Sequence, residues 1–146
     1  MKMITGKEYS LVDVQDTGDA RSRGGCRGLA ATRGIGNIAQ VEDPLGVALA
    51  IGDESIAFSL DSHQSVAIAT GYAGLAEAHA CSTNSIAIAT GKEGKAKAGP
   101  GSAIVLVYRD KYNHIKHVKA GIVGRNGIKP FVWYKLNSKG EFEEVK

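Results

Sequence analysis

Ser65-Val66-Ala67-Ile68-Ala69-Thr70-Gly71 returns twenty residues later as Ser85-Ile86-Ala87-Ile88-Ala89-Thr90-Gly91. A chain that comes back to one phrase at a fixed spacing is stacking equivalent units. Leu75-Ala76-Glu77-Ala78 falls at the half-period, and Lys95-Ala96-Lys97-Ala98 follows at the next one. Upstream, Ser55-Ile56-Ala57-Phe58, Val47-Ala48-Leu49-Ala50, Ile38-Ala39-Gln40-Val41 and Leu29-Ala30-Ala31 continue the series at nine- to ten-residue steps. Each unit is too short for a helical hairpin. Four or five alternating residues followed by a turn-rich run describe a short strand and a corner.

The corners are written in turn residues. Thr70-Gly71-Tyr72-Ala73-Gly74 and Thr90-Gly91-Lys92-Glu93-Gly94 carry paired glycines suited to positive φ. Asp61-Ser62-His63-Gln64, Ser82-Thr83-Asn84 and Asp43-Pro44-Leu45-Gly46 are polar or Pro/Gly corners. The expected fold is all-β: a short parallel β-solenoid, or β-roll, with roughly 20 residues per coil and a C-terminal antiparallel β cap. Four or so coils at about 4.8 Å per stacked strand make a stub about 20 Å long. An antiparallel meander is the alternative, but hairpins have no need of near-identical phrases in alternate strands.

Successive side chains of a strand point to opposite faces. In the 66–69 and 86–89 strands one parity is large and branched and the other is alanine, so both faces are apolar. Val47, Leu49 and Ile51 against Ala48 and Ala50 repeat the arrangement one coil earlier. Glu77 and Lys97 give the intervening strands one polar parity. Which parity fills the interior stays open at this stage. Either way one flank is an apolar carpet, and soluble monomers rarely leave such a patch bare. The expectation is a homo-oligomer, trimer or dimer, with Ala48, Ala50, Ala67, Ala69, Ala87 and Ala89 at the interface.

Composition divides the chain into 1–28, an N-terminal cap with an Arg/Gly-rich segment, 29–103, the repeats, and 104–146, the C-terminal cap. Alanine is dense up to Ala103 and then appears once more, at Ala120, while six of the nine aromatics come afterwards. Ala103–Tyr108 reads as a fully buried strand, Ile115–Val123 as another, and Phe131–Leu136 with Glu141–Val145 as a hairpin around Asn137-Ser138-Lys139-Gly140. Open solenoid ends need covering, and an aromatic β tail suits that task. Lys7–Val14 reads as a short strand closing the other end.

No stretch approaches the roughly twenty apolar residues that span a bilayer, no signal-peptide core opens the chain, and Cys26 and Cys81 lack metal spacing. A cytoplasmic setting, without membrane partners or cofactor, is expected. The net charge of +3 argues against a DNA mimic and leaves nucleic-acid binding undecided. His114 and His117 would fall on opposite faces of a strand. His63 and His79 sit near corners, and Asp53, Glu54 and Asp61 have no evident pocket. No phosphate-loop or dinucleotide fingerprint is present, so no enzyme is expected. The strongest local chemistry is Arg21, Arg23, Arg27 and Arg33, interleaved with glycines. Guanidinium forks suit phosphates and carboxylates, which marks these four as the candidate ligand or partner site.

The repeated Ser-(Val/Ile)-Ala-Ile-Ala-Thr-Gly phrase, Lys92-Glu93-Gly94-Lys95-Ala96-Lys97, and the ending Ile128-Lys129-Pro130, Trp133-Tyr134-Lys135-Leu136 and Gly140-Glu141-Phe142 together resemble a group of uncharacterised phage and prophage proteins of gut bacteria. That resemblance runs from about Ser65 onward and implies a phage context. More distantly, Ser-Val-Ala-Ile resembles the head repeats of trimeric autotransporter adhesins, which implies a β-roll and a tendency to trimerise. Three functions follow as expectations: a phage accessory protein that binds and inhibits a host target such as a defence component, an oligomeric sponge for an anionic signalling nucleotide, and a virion or cell-surface structural or adhesion module.

Overall fold

The computed structural model describes residues 4–6, 9–13, 18–23, 27–60, 63–79 and 84–146, the first two segments as backbone only. Among these residues the chain forms strands and turns and no helix. The strands are β1 (Ile4–Gly6), β2 (Tyr9–Asp13), β3 (Ala20–Ser22), β4 (Arg27–Arg33), β5 (Ile38–Val41), β6 (Val47–Ile51), β7 (Ile56–Ser59) and β8 (Val66–Thr70). They continue with β9 (Leu75–Ala78), β10 (Ile86–Ala89), β11 (Lys95–Ala98), β12 (Ala103–Arg109), β13 (Ile115–Ile122), β14 (Tyr134–Leu136) and β15 (Phe142–Glu144).

From β2 to β12 successive strands go alternately to two sheets. One has eight strands in the order β1-β2-β4-β6-β8-β10-β12-β13, the other seven in the order β15-β14-β11-β9-β7-β5-β3. Pairing between coils is parallel and in register: Val47 lies opposite Val66, Val66 opposite Ile86, and Leu75 opposite Lys95. The β-solenoid expected from the repeats is therefore the fold. Parallel stacking reaches past the expected 29–103 boundaries, because β2 pairs with β4 and β12 with β10 in the same sense.

The interior parity is alanine. Ala30, Ala48, Ala67 and Ala87 form one column that ends on Ile104, and Thr32, Ala50, Ala69 and Ala89 form another that ends on Leu106. Facing them, Ala20, Ala39, Ala57, Ala76 and Ala96 run to Tyr134. The six alanines expected at an oligomer interface are each 0% exposed, so that assignment is corrected. They face the opposite sheet and have no surface to offer, because a coil with four-residue strands has room only for small side chains, Val41 and Thr32 being the largest fully buried in the repeat strands. Larger side chains (Ile104, Leu106, Tyr134, Leu136) enter the core where the stack ends and the cap widens it.

Serine explains the first letter of the repeated phrase. Ser65, Ser85 and Ser102 each precede a strand of the eight-stranded sheet and are 1% exposed. The Oγ of Ser85 accepts the N–H of Ser65, and the Oγ of Ser102 accepts the N–H of Ser85, both at 3.2 Å. The hydroxyls of Ser59 and Ser65 are bonded as well. Each corner thus meets its neighbour's buried backbone donor, which would otherwise be costly.

The corners use glycine differently from expectation. Gly71 has positive φ (103°), but the tightest left-handed position of its corner falls on Ala73 (φ 53°), and that of the next coil's matching corner on Glu93 (φ 58°). Gly91 serves close stacking instead: a Cβ there would fall on the carbonyl oxygen of Gly71.

Antiparallel strands close the stack. β13 runs against β12, β14 against β11, and β15 against β14. The Asn137 Oδ1 takes the N–H of Lys139 (2.9 Å) and of Glu141 (3.0 Å), fixing the last hairpin where the sequence places it. At the other end β1 is antiparallel to β2, so the cap expected at Lys7–Val14 is shared between a turned-back strand and a first coil. The side chains there lie outside the described residues.

Overpacking the alanine interior is expected to cost about 1–3 kcal/mol for Ala87→Leu, whereas Ala73→Gly, which relieves a left-handed alanine, should leave stability unchanged or raise it by about 1 kcal/mol. Urea unfolding of the two variants beside the parent checks both signs.

Candidate functional site

With alanine inside, the branched parity is turned outward, and the two sheets differ in how much of their outer surface is apolar. On the eight-stranded sheet Leu29, Val47, Val66 and Ile86 form one row, continued by Ala103 and Ile122. Ala31, Leu49, Ile68, Ile88, Val105 and Ala120 form the next. Ile51, Val107 and Val118 extend it. Ile51 is 43% exposed, Ile86 37%, Ile122 43% and Val118 63%. Six strands at about 4.8 Å by five residues at about 3.3 Å give roughly 500 Å² in projection.

The seven-stranded sheet is mixed: one outward row is Ile38, Ile56, Leu75 and Lys95, and the next is Arg21, Gln40, Phe58, Glu77 and Lys97. Its polar groups are already paired. Arg21 Nη2 donates to Gln40 Oε1 (3.0 Å), Lys97 Nζ meets Glu77 Oε1 (3.0 Å), and the same ammonium stands 4.7 Å from the centre of the Trp133 ring. Alternation of an apolar and a charged parity marked Glu77 and Lys97 as an outward polar pair, but they are not wet: Glu77 is 7% exposed and Lys97 is covered by Trp133.

The four arginines named from the sequence do not converge. Arg21 and Arg23 lie on the seven-stranded side, where Arg23 Nε is 3.1 Å from Glu42 Oε2. Arg27 and Arg33 are exposed at opposite ends of β4, and six residues of extended strand separate them by about 20 Å. A single grip by all four is excluded by strand geometry. Gly24, Gly25 and Cys26 between them, and Cys81 and Asp61 elsewhere, lie outside the described residues. His114 contacts the Asp110 carboxylate, and His117 Nε2 is 3.1 Å from the Ser138 carbonyl oxygen, so these two histidines have separate partners.

A cleft of about 410 Å³ opens where the apolar face meets the Thr-Gly corners. Its floor is Thr70-Gly71 and Thr90-Gly91 from adjacent coils, and Tyr72 and Lys92 rise beside it. Asp53 Oδ1 accepts the Tyr72 N–H at 2.8 Å. Arg109 closes one wall. The register of β12 against β13 shifts between Tyr108 and Arg109, and such an irregularity re-aims a side chain. Its Nε donates to the Thr90 carbonyl (2.9 Å) and its Nη1 to the Asn113 carbonyl (3.1 Å). Sequence reading missed Arg109. A single arginine after an apolar strand carries no repeat signature, although the doubled Thr-Gly corner marked the floor on which it lies.

The β12–β13 turn that holds Arg109 is organised by Asp110. Its Oδ1 accepts the N–H of Tyr112 (2.9 Å) and of His114 (3.0 Å), and its Oδ2 is 3.5 Å from Lys116 Nζ. Desolvation pushes this carboxyl up, but the two amides, His114 and Lys116 outweigh it and hold it below the ordinary aspartate value.

A depressed carboxyl strengthens the folded turn above the ordinary aspartate range, and that contribution is lost as pH falls through the lowered folded value. The amide resonances of Tyr112 and His114 are therefore expected to titrate with a midpoint below that of an unstructured aspartate. A midpoint at or above it would contradict the assignment. No protein-family model matches the chain, and no curated protein or solved structure matches it.

Proposed function

We propose that the protein is a non-enzymatic binding protein that works as a homo-oligomer, dimer or trimer, joined through the outward face of its eight-stranded sheet. The observation that carries this is the contrast between the two outer surfaces. One mixes apolar Ile38, Ile56, Phe58 and Leu75 with ion-paired and amide groups; the other is a continuous apolar face of about 500 Å² in projection, at the upper end of what monomers leave uncovered. Corrugated side chains expose more than their projection, which brings the face near the roughly 800 Å² each partner contributes to a standard interface. A second copy supplies an equally flat, equally apolar surface. Sheets pack face to face in this manner in sandwiches.

In the phage or prophage setting that the resemblance implies, such an oligomer is read as an accessory protein that captures and inhibits a host target. A second reading, sequestration of an anionic small molecule, is favoured by the Arg109 cleft, which borders the proposed interface through Thr70 and Thr90.

Light scattering of the full chain at about 100 µM is expected to give two or three times the mass of one chain, and Ile68→Lys with Ile88→Lys to weaken association by about a hundredfold or more, since both charges would be buried without partners. A parent protein that stays monomeric, or one that grows into fibres, would overturn the closed oligomer. For the host-directed part, plaque counts on a bacterial host carrying a defence system should rise when the parent protein is expressed and fall back with the monomeric variant.

A further inference from the structure

We infer that the cleft between the Thr-Gly corners and the β12–β13 turn binds a small anion that carries a planar ring, of the nucleoside monophosphate class. The inference rests on the reading of this protein as a binder and names the chemistry of what it binds. The volume, about 410 Å³, is within the range of small-molecule sites. Two cations line it, Arg109 and Lys92, and neither has a carboxylate partner among the described residues. A guanidinium has five N–H donors. Arg109 spends two on backbone carbonyls, which fix its plane and leave the rest for a ligand. That is a held fork, suited to bidentate contact with a phosphate.

The remaining groups extend the match beyond a bare anion. The hydroxyls of Thr70 and Thr90 make no hydrogen bond among the described residues and stand on adjacent coils along the floor. Tyr72 is 51% exposed and offers a ring face on which a base can stack. The Asp53 carboxylate keeps one oxygen beyond its bond to the Tyr72 amide, an acceptor for a ribose hydroxyl or an exocyclic amino group. Two positive groups against one negative favour an anion overall. Gly71 and Gly91 let the coils under the floor stack closely, since a Cβ at either would strike the backbone of the coil before. The repeated Thr-Gly step thus builds both the corner and the floor of the site.

The test uses the full chain with AMP, GMP, adenosine and inorganic phosphate as probes, read by calorimetry and by amide resonances of Tyr72, Lys92 and Asn113. AMP or GMP is expected to bind and to move those resonances, with adenosine and phosphate each weaker by about tenfold or more. Lys92→Glu should lower nucleotide affinity by about ten- to a hundredfold with an unchanged melting temperature. Arg109→Lys keeps the charge but loses the fork, and should lower affinity without unfolding the turn. Phosphate binding as tightly as the nucleotides, no nucleotide binding at low millimolar concentration, or affinity indifferent to Lys92→Glu would each overturn the site. Light scattering on the same samples separates the two readings: an oligomer that ignores nucleotides sinks the site alone, and a monomer that binds them sinks the proposed assembly alone.

Discussion

How little room lies between the two sheets governs everything else in this molecule. With strands of four or five residues and corners of four or five more, each coil is a flattened loop whose inner positions must be small. Alanine fills most of them on both sides, 0 or 1% exposed, with Ser22, Thr32, Val41 and Ser59 taking the others in the first coils. Burying a methyl group releases little water, about 0.8 kcal/mol by the area rule, so such a core is a weak source of stability by itself. What it permits is close, in-register stacking, in which every coil pairs its backbone with the next. The buried serines at the corners serve the same end by keeping the remaining amides satisfied.

The thin interior forces the bulk of the apolar side chains outside. In an ordinary sandwich the large parity is buried and the small or polar parity is wet. Here Val47, Leu49, Val66, Ile68 and Ile88 are only half-buried, screened by their neighbours in the same rows. The seven-stranded sheet shares this consequence in one row, Ile38, Ile56 and Leu75, and relieves it in the next by placing Gln40, Glu77 and Lys97 beside Phe58. The asymmetry between the sheets is thus one of degree: both outward rows are apolar on one side, and only one of the two is on the other.

Period, fold class and the antiparallel cap were legible because each left a repeated or compositional mark: the returned phrase, the half-period alanine strands, the shift to aromatics after Ser102. The side-chain parity was not legible. When Ala and Ile alternate, both registers satisfy an apolar pattern, and only the closure of the coil decides between them. The arginine segment misled for a related reason. Four like residues in thirteen look clustered on a string, but β4 is extended, and Arg27 and Arg33 end up at its opposite ends. Nearness in sequence predicts nearness in space along a turn and distance along a strand.

Arg109 shows the converse. It ends the last parallel strand, at the place where the solenoid stops repeating. On earlier coils the carbonyls of Ile51 and Thr70 accept the amides of Gly34 and Gly52 from the coil before; the Thr90 carbonyl accepts the Arg109 side chain from the strand after it. The cap thereby offers a donor of a kind the repeat does not use, and a side chain does so only by bringing its own charge along. The cap thus places a cation over a floor of Thr-Gly corners while it closes the stack. The cleft arises at the end of the repeat because termination, unlike propagation, requires residues that the repeat itself does not contain.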